Sequence, residues 1–382
     1  MIKYVDELEG DELKGKKVLL RLDLNVPIEN GEVVDATRLE RAIDTVDFLR
    51  DKEAQVIIIA HLEDKDGGNL KLLPVWHYLN GYFPVEFSDT YFTPEAVEKL
   101  INMKDRGVLM FENVRENPGE KANDPEFAKK LAQMADIYVN DAFGVSHRKH
   151  ASIVSVPKLL PHYGGLLMRS EIEHLSRVFN PAHPFVFILG GAKFDTKLPL
   201  IKKYLESAEK VFVGGALANN IFLEKGFGVG TSLVSKGDFG IKELLQNPKL
   251  SVSTDVTVTQ KDGNVLFKRS DEVAADECIV DAGPDTKAQL EEILKDAKTI
   301  VWNGPLGNYE AGFQDKTEVL AEIIAEVTKA NGAESIVGGG DTIASIKKLN
   351  LEHKFSFIST GGGAMLDYLV EETLVGIDAL EN

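Results

Sequence analysis

Cysteine is nearly absent: Cys278 is the only one in 382 residues, which excludes an internal disulfide and any multi-cysteine metal centre. By itself it is best taken as a small buried hydrophobe. No apolar run approaches the roughly 18 residues that a membrane helix needs, so nothing in the pattern spans a bilayer. Positive charge is also scarce, with 43 Lys and Arg against 61 Asp and Glu, a formal net charge of −18. Such a chain repels nucleic acid and anionic membranes and offers neither a general basic face. The acidic opening run Met-Ile-Lys-Tyr-Val-Asp-Glu-Leu-Glu is unlike a signal or transit peptide, and a cytoplasmic location is expected. Low-complexity tracts and fixed-period repeats are missing too.

The arginines that do occur are unevenly placed. Nine of the ten lie at or before Arg177, and only Arg269 follows. A guanidinium fork suits carboxylate and phosphate, so an acidic protein that gathers arginine in one half is expected to bind a small polyanion there. Arg41, Arg50 and Arg106 fit solvated helix faces instead.

Hydrophobic residues at 43% and charged residues at 27% are those of a soluble globular protein, and the length predicts two domains. Apolar strand-like runs at 18–24, 55–61, 85–87, 108–111 and 137–140 alternate with helical periodicity at 37–52, 74–80, 94–103 and 125–134. Thr37 and Glu40 form a Thr-x-x-Glu pattern, with a cap earlier in the chain as the alternative. Unbroken apolar strands alternating with helices predict an α/β fold with a parallel sheet covered on both faces. A long amphipathic helix at 166–179, leaving through Asn180-Pro181-Ala182-His183-Pro184, is expected to connect two domains. Alternation resumes at Phe185, interrupted by a β-rich insertion at 251–269 with a turn at Asp262-Gly263-Asn264.

Five strand-like runs of the second half end in glycine: at Gly190-Gly191, Gly214-Gly215, Gly304, Gly338-Gly339-Gly340 and Gly361-Gly362-Gly363. Any one is an ordinary turn, but five together predict the ligand-binding rim of a parallel sheet, where backbone N–H groups meet an anion. Asp341, beside Thr342, is placed to hold Mg²⁺ among phosphate oxygens. Lys193 and Lys197 stand one helical turn apart after Gly190-Gly191, where positive charge opposes the helix dipole unless it serves an anion. This is no P-loop, and Gly226-Phe227-Gly228-Val229-Gly230 lacks both a preceding strand and the last glycine of a dinucleotide fingerprint. In the first half, alternation puts Arg21, Asp23 and Asn25 on one face, either as an Arg21–Asp23 edge pair or facing a cleft. Arg38, His61, Arg115, His147 and Arg148 fall at strand ends or helix starts, cationic groups suited to a substrate with phosphate and carboxylate. Glu310 is placed to accept from ribose hydroxyls.

In this order the segments resemble phosphoglycerate kinase. Arg-Leu-Asp-Leu-Asn-Val-Pro at 21–27 is similar to that family's first substrate motif, and Tyr138-Val139-Asn140-Asp141-Ala142-Phe143-Gly144 with His147-Arg148 and His150-Ala151-Ser152 is a second match. Gly190–Lys197, Trp302-Asn303-Gly304-Pro305, 338–342 and 359–363 complete it. The resemblance implies reversible Mg²⁺-dependent transfer between ATP and 3-phosphoglycerate, giving ADP and 1,3-bisphosphoglycerate, by a monomer. It implies two doubly wound parallel-sheet domains of similar size facing a cleft, closing by hinge bending. Residues 1–165 would bind 3-phosphoglycerate, 166–182 connect, 183–370 bind nucleotide, and 371–382 return to the first domain. Asp23, Asn25, Arg38, His61, Arg115 and Arg148 would hold the three-carbon substrate. Lys193, Lys197, Gly339, Gly340, Asp341 and Thr342 would surround nucleotide phosphates, with Asp341 on the metal and Glu310 on the ribose. Arg38 and Lys197 would stabilise the group in transit.

The chain departs from the family pattern in places. Ala60-His61-Leu62-Glu63-Asp64-Lys65 stands where Ser-His-Leu-Gly-Arg-Pro is usual, so Asp64 replaces an arginine and Lys65 is the nearby candidate to compensate. Asn308-Tyr309-Glu310 replaces Val-Phe-Glu, Lys316-Thr317 replaces Gly-Thr, and Ala216-Leu217-Ala218-Asn219-Asn220 stands where Met-Ala-Phe-Thr is common. Two other readings are a binding protein of this fold without turnover and a nicotinamide-dependent dehydrogenase.

Overall fold

Val18, Leu20 and Leu22 of β1 (Lys17–Leu22) enter one hydrophobic core and Leu19 enters another, so the strand is covered on both faces as its apolar run requires. After it come a small antiparallel hairpin, β2 (Ile28–Glu29) and β3 (Glu32–Val33), then β4 (Gln55–Ile59), β5 (Glu86–Ser88), β6 (Val108–Phe111), β7 (Ile137–Asp141) and β8 (His162–Gly164). Six of these form a parallel sheet in the order β5-β6-β4-β1-β7-β8. The helix Thr37–Asp51 packs Leu39, Ala42, Val46 and Leu49 on one face, while Pro94–Ile101 and Pro125–Ala132 bring Ala96, Leu100, Phe127 and Leu131 to the other. The computed structural model describes residues 2–381, and the chain divides into two units. One extends to Glu173 and resumes at Thr373; the other is His174–Glu372.

The second unit carries β9 (Phe185–Leu189), β10 (Lys210–Val213), β11 (Leu250–Val252), β12 (Asp255–Thr259), β13 (Val265–Arg269), β14 (Cys278–Ala282), β15 (Thr299–Asn303), β16 (Glu334–Gly338) and β17 (Phe357–Ser359). Its main sheet is parallel, in the order β11-β10-β9-β15-β16-β17. The five glycine-terminated runs are five adjacent strands of this one sheet, β10 to β17 in that order. A separate antiparallel sheet has the order β13-β12-β14. The insertion therefore differs from its sequence outline: Leu250–Val252 joins the main sheet, and the third strand of the small one is β14. Local pattern does not reveal a pairing partner that lies farther along the chain.

Element ends differ from the sequence outline where side chains compete with backbone. Strand β1 stops at Leu22, and Asp23 Oδ1 then accepts from the Asn25 N–H at 3.2 Å, a local turn in place of a ladder. Thr37 is the first helical residue, not the cap; Asp35 Oδ1 accepts its N–H at 3.0 Å. The helix expected over 166–179 is α-helical at Leu166–Ser176 and tightens to a 3₁₀ turn at Arg177–Phe179. Farther on, Leu380 is fully buried in the core that holds Leu19 and Tyr138, and the Gly376 N–H donates to Ser146 O at 2.8 Å.

Candidate functional site

In the first unit the strand order reverses between β1 and β7, and the polar residues collect past the carboxyl ends of β1, β4, β6 and β7. Arg21 does not pair with Asp23. Its buried guanidinium donates to Ser152 Oγ (2.9 Å), Leu22 O (2.5 Å) and His61 Nδ1 (3.4 Å). Ser152 Oγ in turn donates to Glu120 Oε1 at 2.6 Å, and the Ser152 N–H donates to Glu120 Oε2 at 2.9 Å. An arginine has only donors, so it makes His61 Nδ1 an acceptor and leaves the proton on Nε2. Burial, then Arg21, Arg115, Arg148 and Arg38, hold the His61 pKa well below its ordinary value. The ring is thus a neutral donor, not one of the cations its position suggests, and its buried Nε2 has no hydrogen-bond partner.

Arg115 follows β6, its N–H bonded to Asn113 Oδ1 at 3.0 Å. Its guanidinium is 0% exposed, and burial and then Arg148 lower its pKa to about 10. Nη1 donates to Glu63 Oε2, while the buried Nε and Nη2 have no partner. Arg148, after β7, donates to Glu63 Oε1 at 3.2 Å. Arg38 opens its helix and donates to Asn25 O at 2.7 Å, with Asp23 Oδ2 at 3.6 Å. Asn25 Oδ1 accepts the Glu63 N–H at 3.0 Å. Asp23, Asn25, Arg38, Arg115 and Arg148 are therefore linked through Glu63 around one rim, and His61 lies close enough for Arg115, Arg148 and Arg38 to act on its pKa. Asp64 is turned into its own exposed loop, where Oδ1 accepts from Asp66 N (3.0 Å) and Gly68 N (2.7 Å); Lys65 is exposed on the same loop.

In the second unit the reversal lies between β9 and β15. There the two backbones touch: the Gly190 N–H donates to Asn303 O and the Gly191 N–H to Pro305 O, both at 2.9 Å. A Cβ on Gly190 would lie 2.1 Å from Pro305 O, so glycine here serves backbone-to-backbone packing. Gly339 serves differently: φ of +103° starts the helix Gly340–Lys348, whose first turn holds Asp341, half-buried, and Thr342, buried. Thr342 Oγ1 accepts the Gly304 N–H at 3.0 Å.

Lys197, in the first turn of the helix Phe194–Ser207, places its ammonium at this crossing, donating to Gly190 O (3.1 Å) and Asn303 Oδ1 (2.7 Å). Burial lowers its pKa to about 8. Among the described residues no carboxylate pairs with it, so a buried cation rests on neutral oxygens. Lys193 is the exposed cap of the same helix and is not beside Lys197 at the crossing. A cavity of about 380 Å³ opens beside this rim, lined by Gly191, Gly215, Asn219, Asp281, Glu310 and Asp341. Glu310 lies in the 3₁₀ turn Tyr309–Ala311 at its exposed mouth. Half-buried Cys278 also lines the cavity, which is more exposure than a core cysteine has.

Sequence pattern missed several residues. Glu63 and Glu120 act on partners 52 and 32 residues away, with no local signal. Asn303 was visible only as part of a motif. Asp281, its carboxyl raised to about 7 by burial, lies at the end of a strand that periodicity did not outline. The Gly226-x-Gly-x-Gly run follows the helix Gly215–Glu224, not a strand, which removes the geometry of a dinucleotide fingerprint.

A family model for phosphoglycerate kinase matches residues 6–372. A phosphoglycerate kinase of Dictyoglomus turgidum is 40% identical, covering 100% of this chain and 99% of the relative. One of Orientia tsutsugamushi is 41% identical, covering 96% of each. Among solved structures, the phosphoglycerate kinase of Coxiella burnetii is 34% identical with a TM-score of 0.83, covering 100% of this chain and 99% of that one. That of Pyrococcus horikoshii OT3 is 29% identical with a TM-score of 0.86, covering 99% and 98%. Strand order, glycine rim and arginine rim thus sit in a chain that matches these relatives from end to end, and the chain belongs to the phosphoglycerate kinase family.

Proposed function

We propose that the protein transfers a phosphoryl group reversibly between ATP and the carboxylate of 3-phosphoglycerate, giving ADP and 1,3-bisphosphoglycerate, as in glycolysis and gluconeogenesis. The observation that carries this reading is the rim of the first unit, where His61 Nε2 and Arg115 Nε and Nη2 are buried donors without partners. Unpaired buried donors are costly unless a ligand completes them. A phosphorylated acid supplies the acceptors, and Asp23, Asn25, Arg38, Arg115 and Arg148 complete its shell. On the second unit, Lys193, Lys197, Gly339, Gly340 and Thr342 take the nucleotide phosphates, and the cavity takes the nucleoside, with Glu310 on the ribose.

Mg²⁺ fits the residues there. Among the described residues no cluster of three or more His, Cys, Asp or Glu side chains is built to hold a metal alone, whereas a single carboxylate shared with phosphate oxygens is the usual Mg²⁺ arrangement. Asp341 would be that ligand, and the ion would neutralise phosphate charge.

The transfer itself is direct. A carboxylate oxygen of the acid attacks the terminal phosphorus, the bond to the ADP oxygen breaks, and ADP leaves with that electron pair. Arg38 and Lys197 stabilise the equatorial oxygens in transit, with backbone N–H groups at the start of the helix Gly363–Glu371. Incubation with 3-phosphoglycerate, ATP and Mg²⁺ is expected to release ADP; folded protein that binds both ligands and yields none contradicts the proposal. Lys197→Ala is expected to lower kcat by about 10²–10³ with a smaller change in nucleotide affinity. A loss confined to affinity removes Lys197 from the chemical step. A monomer in the cytoplasm belongs to the same proposal, and sedimentation tests the first part.

A further inference from the structure

Glu63 sits on the rim where the acid substrate is placed. Its carboxylate takes one N–H from Arg115 and one from Arg148, and among the described residues it is the only carboxylate within ion-pair distance of either. The nearby acids are committed elsewhere: Glu120 to Ser152, Asp23 to Asn25 and Arg38. The contact uses one of the three Arg115 guanidinium nitrogens, leaving Nε and Nη2 unpartnered. Burial pushes the Glu63 carboxyl up, but the two arginines outweigh burial and hold its pKa below the ordinary range, so it is anionic at neutral pH.

The backbone under Glu63 is fixed independently of this ion pair. Its N–H is held by Asn25, and the loop beyond closes on itself through Asp64 N to Gly68 O (2.9 Å) and Leu70 N to Leu62 O (3.0 Å). The side chain, 16% exposed, can therefore leave the arginines by χ rotation with the loop intact. We propose that Glu63 is an internal occupant of the anion site: its carboxylate stands where a substrate anion binds Arg115 and Arg148, and ligand entry displaces it.

Two consequences separate this from a merely structural ion pair. A substrate anion entering beside an undisplaced Glu63 meets like charge at close range, so the free site is autoinhibited and affinity is lower than the arginines alone would give. Removing the carboxylate then tightens anion binding, whereas removing a positioning carboxylate loosens it. The inference rests on the reading of this rim as the site of a phosphorylated acid, and the test separates the two.

Wild type, Glu63→Gln and Glu63→Ala are titrated calorimetrically with inorganic phosphate and with 3-phosphoglycerate, and assayed with ATP and Mg²⁺; thermal melts confirm folding. Both variants are expected to bind phosphate about tenfold or more tightly, the size expected for release of one close charge pair. The KM for 3-phosphoglycerate falls in parallel, and the KM for ATP stays within about twofold. Unchanged, weaker or absent phosphate binding in both variants overturns the inference, whatever the turnover. Tighter phosphate with no turnover of 3-phosphoglycerate in any of the three proteins upholds Glu63 as occupant and removes the proposed reaction instead.

Discussion

Lys197 shows how burial sets both charge and role. Its ammonium rests on a carbonyl and an amide oxygen, and burial holds the pKa near 8 against an ordinary 10.5. In the free protein its charge fades as pH rises through about 8, so kcat/KM for nucleotide is expected to fall over that interval. Lys197→Arg should shift the falling limb upward, because a guanidinium stays charged. A wild-type profile flat to pH 9 would falsify the role given to this ammonium. Stability runs the other way. Between about 8 and 10.5 the folded state binds fewer protons than the unfolded one, so this group's contribution makes stability rise with pH across that window. From sequence, the lysines at 193 and 197 looked equivalent, one helical turn apart. Only packing separates them, because Lys193 caps the helix in solvent while Lys197 reaches back under the strand ends. His61 is similar: its position was legible, but its neutral state depends on burial first and then on Arg21, 40 residues away.

At the scale of elements, apolar runs revealed the strands and 3.6-residue periodicity the helices, because burial on both faces leaves a continuous signature. The glycine ends were legible as a rim, but their separate purposes were not. Gly190 is required by the approach of β9 to β15, whereas a Cβ on Gly363 meets nothing within 4 Å. Gly190→Ala is therefore expected to cost about 1–3 kcal/mol by overpacking and to weaken nucleotide binding, since it pushes apart the strands that position Lys197. Gly363→Ala should stay within about 0.5 kcal/mol. Guanidinium melts of both compare the two directly, and equal losses would show that the crossing is not the strained point. Element ends were least legible, since Asp23 and Asp35 bind backbone N–H groups that a periodic pattern assigns elsewhere.

For the whole molecule, the last residues belong to the first unit although they are farthest from it in sequence. Leu380 is 0% exposed among Leu19, Phe111 and Tyr138. Leu380→Ala is expected to cost about 2–5 kcal/mol, and hydrogen exchange should place the loss in β1 and β7 amides, with β9 and β15 unaffected. Protection lost in the second unit instead would contradict that packing. Composition, apolar periodicity and the spacing of Arg, Lys and Gly were enough to determine an acidic α/β chain of two parallel sheets, with glycine and basic residues gathered at strand ends. These are local properties, set by burial and backbone geometry over a few residues. Tertiary structure decided what depends on residues far apart in sequence: the tautomer of His61, the neutral cradle of Lys197, the third strand of the small sheet, and Glu63 on Arg115 and Arg148. Each is a contact between segments the chain itself does not place side by side, and its energy appears only once folding has removed water from between them.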